Sequence, residues 1–190
     1  LYIMLAVFDG IEHDTITDDA NVDALLKQMI TVSSNEAANG LLSRIGNGDG
    51  KAAIATVTAT AQRYGFTSSE ELRTLTGMAS GNAVENWTST RDCGSFLSQV
   101  YAGTLVSKNA SERMMQLLLG QTRRTKIPAG VPSGVKVANK TGELAAVQND
   151  VAIVFGTHPY VLAVMSSDIS SAVAPSQITE LSRAVWDAAQ

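Results

Sequence analysis

Cysteine is nearly missing from this 190-residue chain, which holds one, and proline is scarce at four. A single Cys excludes an internal disulfide framework and any zinc site built on several thiolates, and says little about redox compartment. Charged residues make up 17% of the chain, low for a soluble protein, and aromatics 5%. Basic excess is missing too: 14 Lys and Arg stand against 18 Asp and Glu, for a net charge of −4. That balance argues against a nucleic-acid partner, which demands a basic face to displace counterions. No apolar run approaches the roughly 18 residues of a membrane span. No stretch reads as a signal peptide or a lipidation motif. What is abundant is the apolar class, 45% of residues, too much for a disordered chain. A chain of this length buries about 70% of its unfolded surface, as one large domain or two small ones.

The first residue is Leu1, directly inside the apolar run Leu1-Tyr2-Ile3-Met4-Leu5-Ala6-Val7-Phe8. Nothing polar precedes the run to cap it as a helix, which leaves the first N–H groups without partners. The run is therefore expected to continue a longer protein; an ordinary N-terminal strand is the alternative.

Residues 22–120 carry helical periodicity. Val22, Leu25, Leu26 and Met29 share one face, and Ala37, Ala38, Leu41, Leu42 and Ile45 another. Asn47-Gly48-Asp49-Gly50 stops the second stripe before a helix over 51–64 that Gly65 closes. Residues 66–88, with Gly77, Gly81 and Asn82, have no sustained period, and an irregular stretch of that length is usually functional. Thr88-Ser89-Thr90-Arg91-Asp92 caps a helix bearing Phe96, Leu97, Val100 and Tyr101, and Met114, Met115, Leu117 and Leu118 mark the next. After Pro128 come three short segments rich in Val, Ile and Ala: 134–138, 149–155 and 160–166. Their short connections favour antiparallel pairing. A last helix follows Pro175, with Ile178, Leu181, Val185 and Ala188 as its stripe. The fold class is α+β: one domain over 1–190, mainly helical through 127, then strands and a C-terminal helix. Three strands leave a sheet edge open, and a segment ahead of Leu1 is expected to cover it.

Two short motifs could carry chemistry. Val32-Ser33-Ser34-Asn35-Glu36-Ala37-Ala38-Asn39 lies where two helices meet, and Val137-Ala138-Asn139-Lys140-Thr141-Gly142-Glu143-Leu144 where the first strand meets its turn. The Lys140 ammonium supplies a fixed charge for a substrate carboxylate or for lowering a hydroxyl's pKa, and Thr141 adds a donor. Gly142 lets an extended substrate lie along the strand edge, and the N–H of Glu143 is a candidate half of an oxyanion hole. Ser33 is cast as a proton relay and Asn35 as the holder of a substrate amide. Each motif alone is ordinary, since Ser and Asn also cap helices.

Order and spacing of the pair resemble the class A β-lactamases and related penicillin-recognising serine hydrolases, nearly end to end. That family builds its site from Ser-x-x-Lys, Ser-Asp-Asn and Lys-Thr-Gly. Ser33-Ser34-Asn35, followed by Ala37-Ala38 and Leu41-Leu42, resembles the second motif, and Lys140-Thr141-Gly142 the third. Asn149-Asp150-Val151-Ala152 resembles the family's next strand, and Thr88–Asp92 the cap of its later helix. Three departures stand out. The whole chain reads as lacking a Ser-x-x-Lys, so the nucleophilic Ser and its Lys are expected just upstream of Leu1. Ser34 replaces the Asp, a shorter and uncharged partner for backbone donors. Glu70 and Glu71 lie about where the family carries its deacylating Glu, yet the Glu-x-x-Leu-Asn surroundings are missing, and two adjacent Glu in a polar loop ordinarily form a solvated face.

The resemblance implies acyl transfer by a serine hydrolase acting on a β-lactam or a D-alanyl peptide of the cell wall, outside the cytoplasm, as a monomer. It implies no metal, no organic cofactor and no nucleic acid. A peptidase, esterase or penicillin-binding protein of the same fold shares every motif, and a non-catalytic wall-binding module is the other alternative. The remaining residues read blandly. His13 and His158 are surface residues, Cys93 a small buried hydrophobe, and Trp87 and Trp186 packing residues. Arg123, Arg124 and Lys126 form a solvated basic cluster from which one Arg could reach a substrate carboxylate.

Overall fold

Local capping chemistry sets most helix starts. In a computed structural model that describes residues 1–75 and 85–190, seven helices and three strands follow in order. They are α1 (Tyr2–Glu12), α2 (Ala20–Thr31), α3 (Asn35–Ile45), α4 (Gly50–Arg63), α5 (Thr90–Ala102), α6 (Lys108–Leu119), β1 (Lys136–Leu144), β2 (Val147–Phe155), β3 (Tyr160–Val164) and α7 (Ala174–Ala189). Asp19, Ser34, Asp49, Ser89 and Ser107 each accept a backbone N–H from the first turn that follows. Gly77, Gly81 and Asn82 lie outside the described residues. Among the described ones, the segment around them shows a single bridge, Glu70 to Trp87. No helix there is long and apolar enough to cross a membrane.

The run that opens the chain is a helix, not a strand. Every residue of α1 from Ile3 to Gly10 is buried, as befits a helix apolar on all sides and surrounded by others; its neighbours are α3 and α4. Leu1 offers no side-chain cap. Asp9, the one charged residue in that run, is satisfied by Arg63 and by the Tyr64 hydroxyl at 2.9 Å, both at the end of α4.

The sheet is antiparallel in the order β1-β2-β3. Its two faces feed two cores. Ala138, Val151 and Ile153 join the large helical core, with α5 and α6 packed on that side. Val137, Ala152 and Val154 meet Ile127 and Ile178 in a smaller core, with Trp186 half-buried against it. Sequence and structure differ here in two ways. The strand expected to end at Ala138 runs on to Leu144, because β2 begins at Val147 and pairs with β1 along its whole length. Lys140-Thr141-Gly142 is therefore inside a strand and not at a turn. The α7 stripe is also rotated. Leu181 is 46% exposed, whereas Ser182 is fully buried because its hydroxyl donates to the Ile127 carbonyl at 2.8 Å.

That contact needs a glycine. A Cβ at Gly130, which closes the 3₁₀ turn Ile127–Gly130, would sit 2.4 Å from the Thr179 carbonyl oxygen and 2.6 Å from Ser182 Cβ. Gly130→Ala is expected to lift α7 and cost about 1–3 kcal/mol, read as a lower urea midpoint; an unchanged midpoint would contradict this packing.

Candidate active site

The junction between α2 and α3 frees two polar side chains. Ser34 N donates to the Gln28 carbonyl to finish α2. The Ser34 hydroxyl then caps α3 by accepting from Ala37 N at 3.1 Å and donates to Glu36 at 2.9 Å. Capping thus falls to the residue between the two candidates, and neither Ser33 nor Asn35 is spent on it. Ser33 has φ +62°, a left-handed backbone that a non-glycine residue adopts at a cost and that recurs at functional sites.

Across the cleft, Lys140 Nζ donates to Ser33 Oγ at 2.8 Å and to the Thr141 carbonyl at 2.6 Å, joining residues 107 apart in the chain. Burial, helped by the nearby charge of Arg123, lowers the Lys140 pKa to about 8. Ser33, Asn35 and Lys140 line one cavity of about 160 Å³ together with Glu71 and the first residues of α1. A neighbouring cavity of about 240 Å³ shares Lys140 and Glu71 with it and reaches Thr141, Gly142 and Trp87.

The two adjacent glutamates part company. Pairing of Glu70 with Trp87 makes the backbone locally extended. Glu70 is exposed and borders only the larger cavity, whereas Glu71 is half-buried and lines both, which corrects the reading of both as a solvated face. Thr58 on α4 holds the Glu71 backbone at both ends, accepting from its N–H and donating to its carbonyl. Burial raises the Glu71 carboxyl to about 7, against the Asn86 amide that favours the ionised form. Asn39, one turn after Asn35 on α3, accepts from Leu75 N at 2.8 Å and ties the same segment to the helix. Asn39 closes the first motif, where the sequence assigned it no role; Asn86 belongs to no motif, and the sequence carries no signal for it.

The chain does hold one Ser-x-x-Lys pattern, Ser133-Gly134-Val135-Lys136, which corrects the reading that it has none. Ser133 and Lys136 are both exposed, in the turn that enters β1 and at that strand's first residue, and neither lines the cavities around Lys140.

The family model described as "Beta-lactamase enzyme family" matches residues 2–189. The chain belongs to that family. Similar solved structures include a β-lactamase from Sphaerobacter thermophilus DSM 20745 (21% identity, TM-score 0.86, covering 99% of this chain and 80% of that one). The TLA-3 extended-spectrum β-lactamase matches at 21% and TM-score 0.87, covering 98% and 81%. A mutant of PBP-A, in an acyl-enzyme complex with penicillin G, matches at 22% and TM-score 0.80, covering 98% and 78%. At these identities the likeness is one of fold. Curated proteins give no match to the chain.

Two further residues of this β-lactamase-family chain depart from expectation. Trp87 is 64% exposed and not a packing residue; its backbone, not its ring, makes the bridge to Glu70. Lys126 is 1% exposed and not solvated, because Glu143 accepts from its Nζ at 2.9 Å and the Asn149 carbonyl at 3.2 Å. Glu143 also takes Arg123, which stays exposed like Arg124. Burial alone would raise the Glu143 carboxyl, yet Lys126 and Arg123 together hold it below the usual carboxylate range. His13 and His158 are exposed and Cys93 is buried, as the sequence indicated.

Glu143→Ala strands the buried Lys126 ammonium and is expected to cost roughly 3 kcal/mol. Arg123→Ala removes only the exposed partner and is expected to cost under about 1 kcal/mol. Equal losses for the two variants in denaturant titrations would contradict this division.

Proposed function

We propose that the protein is a serine hydrolase that opens β-lactams by acyl transfer and then hydrolyses the acyl-enzyme. The observation that carries this reading is the 2.8 Å bond from Lys140 Nζ to Ser33 Oγ in a cleft that also holds Glu71. Because the Ser33 oxygen accepts from the ammonium, its own proton is free to be given into the cleft. The nucleophile is a Ser in a segment ahead of Leu1, as the family resemblance implies, and the 190 residues form a single domain with that segment. Its oxygen bonds to the lactam carbonyl carbon while the carbon–nitrogen bond breaks; the proton of the attacking hydroxyl is relayed to Ser33 as Ser33 delivers its own to the departing nitrogen, so Ser33 ends the step as a neutral hydroxyl. Lys140 stabilises the negative charge that develops on Ser33 during the relay. Asn35 and Thr141 hold the substrate, and the Glu143 N–H faces the oxyanion. A Cβ at Gly142 would come no closer than 3.5 Å to the Asn149 side chain. The fold thus tolerates a larger residue there, which supports a substrate lying against that strand edge.

Glu71 favours turnover over a trapped acyl-enzyme. Its carboxylate, half-buried in the same cleft, takes a proton from water as the water attacks the ester, and the departing Ser oxygen takes up that proton as the ester bond breaks, which releases the acid and restores both groups. This observation weighs against the penicillin-binding and D-alanyl peptidase alternatives. Substrates of this class place the enzyme outside the cytoplasm, secreted or anchored at the cell envelope.

Two outcomes test the reading on the full-length protein. Nitrocefin is expected to be turned over, and Glu71→Gln to stall it at the acyl-enzyme, slowing hydrolysis about 10²–10⁴-fold. A covalent adduct of penicillin mass would then persist in intact-mass spectra; no adduct and no turnover would remove the hydrolase reading. Glu71 must be ionised to act and Lys140 must keep its proton. The rate is therefore expected to rise with pH through about 7 and fall above about 8. A profile flat from pH 6 to 9 would contradict both assignments.

A further inference from the structure

Beside the Glu70–Trp87 bridge and the Arg73–Glu85 pair, a side chain outside every motif ties together the two arms of the segment that carries Glu71. Asn86 Oδ1 accepts from Leu72 N at 2.8 Å and from Arg73 N at 2.9 Å. Its Nδ2 donates to Glu71 Oε1 at 2.9 Å and to the Arg73 carbonyl at 3.2 Å. A carboxamide has two lone pairs and two N–H donors, and here all four are spent on residues 71–73. Three of these bonds fix backbone. The fourth goes to the carboxylate in the cleft, and a clamp whose only task was to hold the two arms together would not need it.

We infer that Asn86 is the positioning residue for Glu71, its amide nitrogen fixing one carboxylate oxygen so that the other is presented to the hydrolytic water. The inference rests on the reading of Glu71 as the base of acyl-enzyme hydrolysis. Division of labour within the side chain supports it: the oxygen orders the arm and the nitrogen orients the acid. Thr58, by contrast, touches only the Glu71 backbone. A donated hydrogen bond also favours the ionised carboxylate, opposing the burial that raises its pKa. Other charges near Glu71 come from several elements. Lys140 on β1 borders the same cleft, and Lys51 on α4 borders the groove behind it. Arg73, on the Glu71 segment itself, is paired with Glu85.

Asn86→Asp separates the two roles. It keeps two acceptor oxygens for Leu72 N and Arg73 N but loses the donor and sets an anion against Glu71. In the full-length protein, the acidic limb of the deacylation profile is expected to move up by about one pH unit or more, with deacylation near neutral pH about tenfold slower. Acylation by a fluorescent penicillin is expected to be unchanged, which also reports that the variant is folded. Thr58→Val, which loosens the backbone alone, is expected to leave the limb in place. If Asn86→Asp does not fold, Asn86→Ser carries the test by removing the amide donor without adding charge: slower deacylation with normal acylation is expected. An unmoved limb in the Asp variant, or unchanged deacylation in the Ser variant, overturns the inference. Glu71→Gln tells the two failures apart. Normal hydrolysis in that variant overturns the role of Glu71 and this inference with it, whereas a stalled Glu71→Gln beside an unaffected Asn86 variant overturns this inference alone.

Discussion

The ammonium of Lys140 joins sheet to helices, and much of the local structure serves to make that one contact possible. A half-buried cation must find acceptors, and Lys140 finds the Ser33 hydroxyl and the Thr141 carbonyl. For Lys140 to reach across, β1 must stay extended through residue 140, which the β2 register secures. For Ser33 to meet it, the chain must leave α2 in a left-handed conformation and let Ser34 take over the cap of α3. Behind the sheet, Ser182 and the close approach of α7 at Gly130 hold the 3₁₀ turn against which that strand layer packs.

Two ammonium groups near β1, one buried and one half-buried, meet different surroundings. Lys126 lies with Glu143 beside it, and this ion pair settles its charge locally. Lys140 has no such pair among the described residues, only a hydroxyl and a carbonyl, and its pKa falls to about 8. Alternation along the strand assigns these roles: Asn139 bonds to Asp150 on the side of the small core, while Lys140 faces the helices. The first arrangement braces the strand. The second leaves a cation responsive to whatever enters the cleft, opposite Glu71, whose carboxyl burial has raised towards the same pH range.

Much of this was legible in the residues, because much of it is periodic or carried by short motifs. The apolar stripes of α2 and α3 and the Asn47–Gly50 stop stand where the pattern indicates. The failures have physical causes. Strand β1 was read too short because Lys-Thr-Gly looks like a turn until the partner strand is known. The α7 stripe was misplaced because a serine, not a leucine, is the buried residue beside Gly130. Lys126 was read as solvated because only the fold brings Glu143 and the Asn149 carbonyl to it. Glu71 could not be told from Glu70, since the bridge at Glu70 pairs residues on two separate arms. Asn86 was invisible for the same reason.

The central claim is that Ser33, Asn35, Lys140 and Glu71 border one acyl-transfer cleft. A crystal structure of the full-length Glu71→Gln protein soaked with penicillin G tests it most directly. The account predicts an acyl group bonded to a serine ahead of Leu1, lying between Ser33 and residue 71 along the Thr141-Gly142 strand edge. An acyl group attached elsewhere, or a cleft that stays free of ligand while penicillin reacts at another residue, would contradict it.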